Sequence, residues 1–297
     1  MTDITLLDGG MGQELTKRVD TPPTPLWATQ VMIDRPGLVQ QIHAEYFAAG
    51  ATVATTNTYA IHRDRLVKAG LEDRFKALHA AALTEAKAAR DAHGAGRIAG
   101  AIGPLVGSYR PDAHPAPDIA TPLYAEVATL LAPACDILIF ETVASCDQAR
   151  AVLDAAFRPE RPVWLALTVD DEDGTRLRSG EPLAEVLPIA QDRASALLVN
   201  CSAPEAIPPA LDILARAGLP FGAYANAFTR ITKDFLKDNS TVAALTARRD
   251  LGPDAYADHA MTWVAQGATI VGGCCETGPA HIAEIARRLT DAGHRIV

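Results

Sequence analysis

The sequence predicts an α/β protein whose parallel strands close into a (β/α)8 barrel of the TIM type, as one domain over residues 1–297. Three observations predict this fold. First, short apolar runs rich in β-branched residues alternate with longer segments in which apolar residues recur at helical spacing. Second, eight such pairs follow one another along the chain. Third, glycines follow several of the helical segments directly. Alternating strands and helices indicate a parallel sheet, and eight repeats in 297 residues favour a closed barrel.

The strands are predicted from short apolar runs that are bounded by turn residues. In chain order they cover residues 4–8, 52–57, 97–102, 136–141, 163–169, 196–201, 221–226 and 269–273. The helices are predicted from apolar residues recurring at helical spacing. They cover residues 38–49, 74–93, 123–131, 147–157, 183–191, 205–217, 256–266 and 281–292. Gly50, Gly94, Gly218 and Gly267 each follow a helical run, where a left-handed residue commonly ends a helix.

An open, doubly wound sheet is the alternative fold. It is disfavoured because no GxGxxG turn follows the first strand; residues 7–12 (LDGGMG) have their glycines at a different spacing. Two Pro-rich stretches, residues 21–25 and 111–117, are predicted loops after the first and third strands. They lie on the barrel face that carries active sites, so each is either part of the rim of a site or a plain surface loop.

Composition excludes several classes of protein. With 48% hydrophobic and 21% charged residues, the chain is typical of soluble globular proteins. Its 27 basic and 36 acidic residues give a net charge of −9, which favours neither nucleic acid nor an anionic membrane as partner. The apolar run 130–140 is interrupted by Asp136, so no membrane span is predicted. The first residues lack the features of a secretory signal, and we predict a cytoplasmic protein.

Polar side chains stand out at or just after the carboxyl ends of the predicted strands. They are Asp8, Asn57, Glu141, Cys201, Asn226, Cys274 and Cys275. In a parallel barrel these strand ends form one mouth, so residues far apart in sequence meet in one pocket. This convergence predicts an enzyme.

Three of the five cysteines are candidate metal ligands. Cys201 ends the sixth strand, and Cys274 and Cys275 follow the eighth, with one strand between them at about 4.8 Å per strand step. Three thiolates with a vacant fourth position describe a catalytic zinc site, whereas structural sites have four protein ligands. The glycines before the pair, residues 272 and 273, allow the backbone to turn sharply there.

Other interpretations of the cysteines stay open. Five cysteines in a chain without a secretory signal argue against a disulfide framework. A cysteine at a strand end is often a buried small hydrophobic residue, and we predict this role for Cys135 and Cys146. A vicinal disulfide between Cys274 and Cys275 is a strained alternative to metal binding.

Several short motifs together resemble the homocysteine S-methyltransferase family. They are DGGMG near the start, TNTY after the second strand, GP after the third, ET after the fourth, NC after the sixth, and VGGCC with TGPAHI near the end. The resemblance runs from about residue 7 to residue 288. The combination of GGCC with a distant NC is specific for this family. DGGMG or TNTY alone would not identify it.

The resemblance implies a zinc enzyme that transfers a methyl group to homocysteine and forms methionine. It implies that Cys201, Cys274 and Cys275 hold Zn²⁺ and that the homocysteine thiol takes the open position. Three cysteinates give the Zn²⁺ site a net charge of −1, so a fourth thiolate bound there stays electron-rich and nucleophilic.

The resemblance also assigns residues to the substrate. Asp8 and Glu141 contact the amino group of homocysteine, helped by the backbone around Gly9 and Gly10. Asn226 matches a family asparagine near the metal, although the residue before it, often proline in the family, is alanine here.

The methyl donor is predicted to be an onium compound, with S-methylmethionine first. Trp27, after Pro25 and Leu26, resembles the Leu-Trp of members that use S-methylmethionine, and an indole face attracts a cation by roughly 0.5–2 kcal/mol. Tyr59 and Tyr109 are further aromatics on the mouth side; packing under a loop is the alternative for each. Betaine and dimethylsulfoniopropionate follow as alternative donors.

Competing functions are distinguished by what they require. A corrinoid- and folate-dependent methionine synthase needs further modules, and 297 residues suffice for one barrel. A zinc hydrolase normally uses His and carboxylate ligands, and the chain lacks HExxH. A non-catalytic zinc- or redox-sensing barrel stays open, although it leaves Asp8 and Glu141 without a role. We predict small-molecule substrates as the only partners and a monomer or dimer.

Overall fold

Eight parallel strands form the centre of the computed structural model, which describes residues 1–156, 161–237 and 240–297. A ninth, two-residue strand pairs with the first at the other end of the barrel. The strands are β1 (Asp3–Leu6), β2 (Val53–Thr55), β3 (Arg97–Ile102), β4 (Ile137–Val143), β5 (Val163–Leu167), β6 (Ala196–Asn200), β7 (Phe221–Tyr224), β8 (Ile270–Val271) and β9 (Arg295–Ile296). All eight predicted strands are therefore confirmed, with ends that differ by a few residues.

The sheet closes on itself. Neighbouring strands pair in the order β2-β3-β4-β5-β6-β7-β8-β1. A parallel bridge between Leu7 and Val53 then joins the end of β1 to β2, and the Asp8 amide donates to the Val53 carbonyl at 3.1 Å. The predicted barrel is confirmed and the open sheet is wrong.

Helices follow the strands around the outside. They are α1 (Met11–Lys17), α2 (Ala28–Asp34), α3 (Leu38–Ala48), α4 (Arg63–Lys68), α5 (Phe75–His93), α6 (Pro117–Leu131), α7 (Cys146–Ala156), α8 (Leu187–Ala190), α9 (Ile207–Leu214), α10 (Pro253–Ala265) and α11 (Pro279–Asp291). The sequence predicted every one except α1, α2 and α4. The predicted end of α7 at residue 157 lies outside the described residues.

Helix ends agree with the glycine signal. Gly50, Gly94, Gly218 and Gly267 have φ values of +105°, +82°, +69° and +101°, in the left-handed region that glycine adopts without steric cost. Each glycine therefore ends a helix or its last turn and turns the chain toward the next strand. None of the helices in the described ranges has the length and apolar sequence that crossing a bilayer requires.

Apolar side chains fill the barrel on both sides of its wall. Alternate strand residues point outward and pack against the helices, and the others fill the barrel interior, as period-two geometry requires. The interior set includes Leu198, Ile139 and Trp164, which is 6% exposed. Among the described residues, the barrel interior is packed, and the open space lies at the carboxyl-terminal end of the strands.

Candidate active site

A cavity of about 410 Å³ opens at the carboxyl-terminal ends of the strands. Its volume lies in the range of small-molecule sites. Nine residues are assigned from the sequence to the metal or a substrate, and eight of them line the cavity: Asp8, Gly9, Gly10, Trp27, Glu141, Cys201, Cys274 and Cys275. The ninth, Asn226, is not among the residues that line the cavity. Asn57, predicted to lie at the same mouth, also lines the cavity.

The three thiols meet at the edge of this cavity. Their Sγ atoms all lie within 4.8 Å of one another. Tetrahedral coordination with Zn–S bonds of about 2.3 Å separates sulfurs by about 3.8 Å, so small shifts bring all three onto one ion. The donor set therefore fits a thiolate-bound metal.

Two of these cysteines are joined in the structure. Cys201 and Cys274 form a disulfide with their Cα atoms 5.9 Å apart, and Cys275 is a free thiol. The vicinal disulfide between Cys274 and Cys275 is therefore wrong. Because a metal binds thiolates, the disulfide must be reduced before the three residues can act together. Cys135 and Cys146 are buried away from the cavity as free thiols.

Glycines bring the backbone of the first loop against the segment that carries the cysteine pair. A Cβ atom on Gly9 would lie 2.3 Å from the Thr277 carbonyl oxygen, and one on Gly10 would lie 2.5 Å from the Cys274 carbonyl oxygen. Only glycine fits at either position. The Gly10 amide donates to the Thr277 carbonyl at 2.8 Å, so this loop holds the cysteine pair in place.

Two buried carboxyl groups line the same cavity. Asp8 accepts hydrogen bonds from the amide and hydroxyl of Thr55 at 2.7 and 2.9 Å, and Glu141 accepts one from the Tyr224 hydroxyl at 2.8 Å. Burial raises the pKa of Asp8 to about 8 and the pKa of Glu141 to about 7, against the lowering effect of these hydrogen bonds.

No cationic partner faces these carboxyl groups from the described residues. The nearest basic group is His43, whose Nδ1 lies 3.9 Å from Asp8 Oδ2, and both of its ring nitrogens lack hydrogen-bond partners. Burial lowers the pKa of His43 to about 3, so the imidazole is neutral. Two buried acids without a counter-ion form a site for an incoming cation.

This arrangement predicts a pH-dependent stability. The pKa of Glu141 is about 7 in the folded protein, above the value of about 4.3 for an unfolded glutamate. The stabilisation that Glu141 contributes to folding is therefore complete below about pH 4.3 and is lost as the pH rises through 7. Glu141→Gln cannot ionise, and in ligand-free protein it should be more stable than wild type at pH 8, by up to about 3 kcal/mol, and similar at pH 4.5. Urea denaturation at both pH values measures this, with Glu172→Gln, a substitution of an exposed glutamate, as control; parallel pH profiles of Glu141→Gln and wild type would contradict it.

Aromatic rings form another wall of the cavity. Trp27 and Tyr59 meet edge to face with centroids 6.2 Å apart. A Cβ on Gly12 would lie 2.1 Å from the Trp27 ring, which shows how closely the indole packs on α1, and Nε1 donates to Gln13 Oε1 at 3.1 Å. Tyr109 also lines the cavity. The aromatic surface predicted near the mouth is thus present.

Backbone strain concentrates around the cavity. Four residues that line it have positive φ without being glycine: Trp27 (48°), Val106 (65°), Tyr109 (60°) and Cys201 (48°). Thr142 (58°) and Glu276 (65°) follow Glu141 and Cys275 directly. Such strain persists only where the surrounding structure imposes it, and it clusters at functional sites.

The structure gives Asn226 a local role. It is 2% exposed, and its Oδ1 accepts a hydrogen bond from the Phe228 amide at 3.0 Å. The flanking residues hold the cysteine pair, because the Cys274 amide donates to the Ala225 carbonyl and the Ala227 amide donates to the Cys275 carbonyl. Asn226 therefore shapes the turn beside the thiols.

Sequence reasoning missed the residues that hold the carboxyl groups. Side chains alternate between the two faces of a strand, and this alternation was the signal that could have found them. It places Thr55 on the same face as Asn57, two positions later, and Tyr224, the last residue of β7, in the barrel interior. It also missed Asn200, whose side chain accepts from the Thr142 amide at 2.9 Å and so ties β6 to β4. Of the Pro-rich loops, the first contributes Thr24 and Pro25 to the cavity, and residues 111–117 contribute none.

A parallel barrel with a polar, strained cavity at the carboxyl ends of its strands defines a TIM-barrel enzyme. The chain belongs to the homocysteine S-methyltransferase family, whose sequence model matches residues 5–289. The family resemblance and the enzyme class predicted from the sequence are thereby confirmed.

Individual relatives are similar over nearly the whole chain. Homocysteine S-methyltransferase of Escherichia coli is 29% identical over 308 residues, covering 96% of this chain and 95% of that protein. The solved structure of homocysteine methyltransferase MmuM from Escherichia coli in its metallated form aligns with a TM-score of 0.81 and 29% identity, over 97% of this chain and 96% of that one. The oxidized form of MmuM aligns with the same TM-score and 28% identity, over the same shares of the two chains.

Proposed function

We propose that this chain transfers a methyl group from S-methylmethionine to the thiol of homocysteine and forms methionine, with Zn²⁺ as its metal. The observation that carries the proposal is the convergence of three thiols, two buried carboxyl groups and an aromatic wall on one cavity. Methyl transfer from an onium donor to a thiolate depends chiefly on positioning, and these three elements would position the thiol, the ammonium group of the acceptor and the onium group of the donor.

Cys201, Cys274 and Cys275 are the proposed ligands. An all-sulfur donor set favours Zn²⁺ over hard cations such as Mg²⁺, and three protein ligands leave one position for a substrate. Zinc bound there would supply the chemistry of thiol activation, since a coordinated thiol loses its proton at neutral pH. Burial raises the pKa of the free Cys275 thiol to about 12, so the cavity by itself does not produce a thiolate.

Asp8 and Glu141 are proposed to bind the ammonium group of homocysteine. Both lack a cationic partner in the described structure, and both are held by neutral donors, Thr55 and Tyr224, that leave carboxylate lone pairs free. An ammonium group between them lowers their pKa values and forms charge-assisted hydrogen bonds. The same contacts orient the acceptor so that its sulfur faces the cysteines.

Trp27, Tyr59 and Tyr109 are proposed to hold the onium group of the donor. The π face of Trp27 attracts a sulfonium or quaternary ammonium by cation–π interaction without hydrogen bonds that would compete with transfer. Tyr59 and Tyr109 each have a guanidinium over one side of the ring, from Arg65 and Arg178, so the other side is the one proposed to face the onium group. In the reaction the donor S–CH₃ bond breaks as a new S–CH₃ bond forms on homocysteine. The donor sulfur keeps the bonding pair and leaves as a neutral thioether, and the thiol proton passes to solvent.

Alternative donors and a non-catalytic role are separated by one assay. We expect zinc-loaded, reduced protein to form methionine from homocysteine and S-methylmethionine, with slower turnover of betaine, because a dialkyl sulfide leaves more readily than a tertiary amine. Dimethylsulfoniopropionate, which is also a sulfonium, is the third donor. Each donor is supplied in parallel, and methionine is quantified. Turnover of betaine alone would reverse the order of donors, and absence of turnover with every donor would favour a zinc- or redox-sensing barrel.

Two further predictions accompany this function. A cytoplasmic location would keep Cys201 and Cys274 reduced, because cytosolic reductants maintain thiols. A monomer or dimer remains the expected assembly. Sedimentation of the purified protein tests it, and a stable tetramer would contradict it.

A further inference from the structure

Arg65 is a cavity-lining cation that belongs neither to the proposed metal site nor to the proposed ammonium site. Arg65 lies on α4, the short helix after β2, and its side chain lines the cavity. It is partly buried, and its Nη2 donates to the Pro104 carbonyl at 2.9 Å. Its buried Nε has no hydrogen-bond partner in the described structure, and Nη1 has none there either.

The lack of an anionic partner among the described residues is shared by two cavity-lining cations, Arg65 and Lys68, and Arg65 is the half-buried one of the two, whereas Lys68 is exposed. Arg63, two residues earlier and therefore on the other side of α4, binds both carboxylate oxygens of Glu126 at 2.6 and 2.7 Å. At the cavity, Arg110 pairs with Asp112 at 2.9 Å and Lys237 pairs with Asp234 at 2.6 Å. No described carboxylate pairs with Arg65. A half-buried guanidinium without its full set of acceptors is costly, so a ligand that supplies acceptors gains affinity there.

The position of Arg65 indicates what kind of ligand supplies them. Its guanidinium carbon lies 5.9 Å from the centroid of the Tyr59 ring, and Tyr59 in turn contacts Trp27. Tyr59 interacts electrostatically with both Arg65 and Glu141, and these groups line one cavity together with Asp8 and Trp27. A zwitterion with its onium group against the rings places a carboxylate at the guanidinium.

We propose that Arg65 binds the carboxylate of the methyl donor and so selects donors that combine an onium group with a carboxylate. This inference rests on the proposed function, because it assigns a binding partner to the carboxylate of the donor whose onium group is proposed to lie against the aromatic rings. Guanidinium matches carboxylate geometry better than ammonium does, and the aromatic contact fixes its plane. Homocysteine also has a carboxylate, so the effect of an Arg65 substitution on each substrate decides which of the two carboxylates Arg65 binds.

The test compares S-methylmethionine with its methyl ester, which keeps the sulfonium and loses the anionic carboxylate. Binding of each compound to zinc-loaded enzyme without homocysteine is measured by calorimetry, so no turnover is required. We expect wild type to prefer the acid by roughly ten- to a hundredfold, and Arg65→Gln to bind acid and ester within about threefold of each other. Arg65→Lys should retain part of the preference, and Arg63→Gln, outside the cavity, should retain all of it.

Steady-state kinetics separates a binding role from a structural one. In Arg65→Gln the KM for S-methylmethionine should rise by roughly ten- to a hundredfold while the KM for homocysteine stays within about twofold. A wild-type enzyme that binds acid and ester equally, or an Arg65→Gln variant in which the KM for homocysteine rises instead, would overturn the assignment. If the wild type binds the acid selectively but forms no methionine, the proposed function fails and the carboxylate site stands.

Discussion

Cys275→Ala is expected to lose its bound zinc and to form methionine no faster than a control without enzyme. Cys275 is the free thiol of the three, so its replacement leaves the Cys201–Cys274 pair intact and removes one ligand from the proposed site. Two thiolates do not make a stable tetrahedral site, and without a metal the homocysteine thiol stays mostly protonated at pH 7. Elemental analysis of reduced, zinc-loaded protein measures metal content, and the donor assay measures activity.

Matched variants within the same chain make this result specific. Cys135→Ala and Cys146→Ala also remove a buried thiol but lie away from the cavity, so both should keep zinc and activity. Cys201→Ala should behave like Cys275→Ala. Undiminished zinc in the Cys201 and Cys275 variants would refute the site, and loss of zinc in the Cys135 variant would point to a general effect of folding.

Glu141→Gln is expected to weaken homocysteine binding by roughly ten- to a hundredfold, the effect of removing one charge-assisted contact to a buried ammonium. The substitution keeps the size of the side chain and leaves an oxygen to accept the Tyr224 hydrogen bond. It removes only the negative charge. Calorimetric titration of zinc-loaded protein with homocysteine measures the dissociation constant.

Two comparisons exclude unfolding and loss of zinc as causes of weaker homocysteine binding. Ligand-free Glu141→Gln is expected to be more stable than wild type at pH 8, so weaker binding cannot be attributed to unfolding. Zinc content should be unchanged, since Glu141 is not a proposed ligand. Unchanged affinity for homocysteine in this variant would remove Glu141 from the ammonium site and leave Asp8 as its only carboxylate.

The strands and longer helices of the barrel were predictable because their apolar spacing is local. Helix α5 has a periodic apolar pattern over 19 residues, and strand β4 is recognisable as a continuous, fully buried run rich in apolar residues. The short helices α1, α2 and α4 span 7, 7 and 6 residues and were missed. Helices of this length are unstable alone, so packing on the barrel decides that they form.

The sequence by itself determined the barrel, the three cysteines and the two carboxyl groups, because these residues stand at strand ends and strand ends follow from periodicity. The tertiary structure alone decided which side chains hold those groups: Thr55 on Asp8, Tyr224 on Glu141, and the pairing of Cys201 with Cys274. It also decided that Arg65 enters the cavity without an anionic partner. The reason is physical: periodicity fixes the direction of a side chain along its own element, whereas hydrogen bonds, ion pairs and burial depend on how distant elements close around one another.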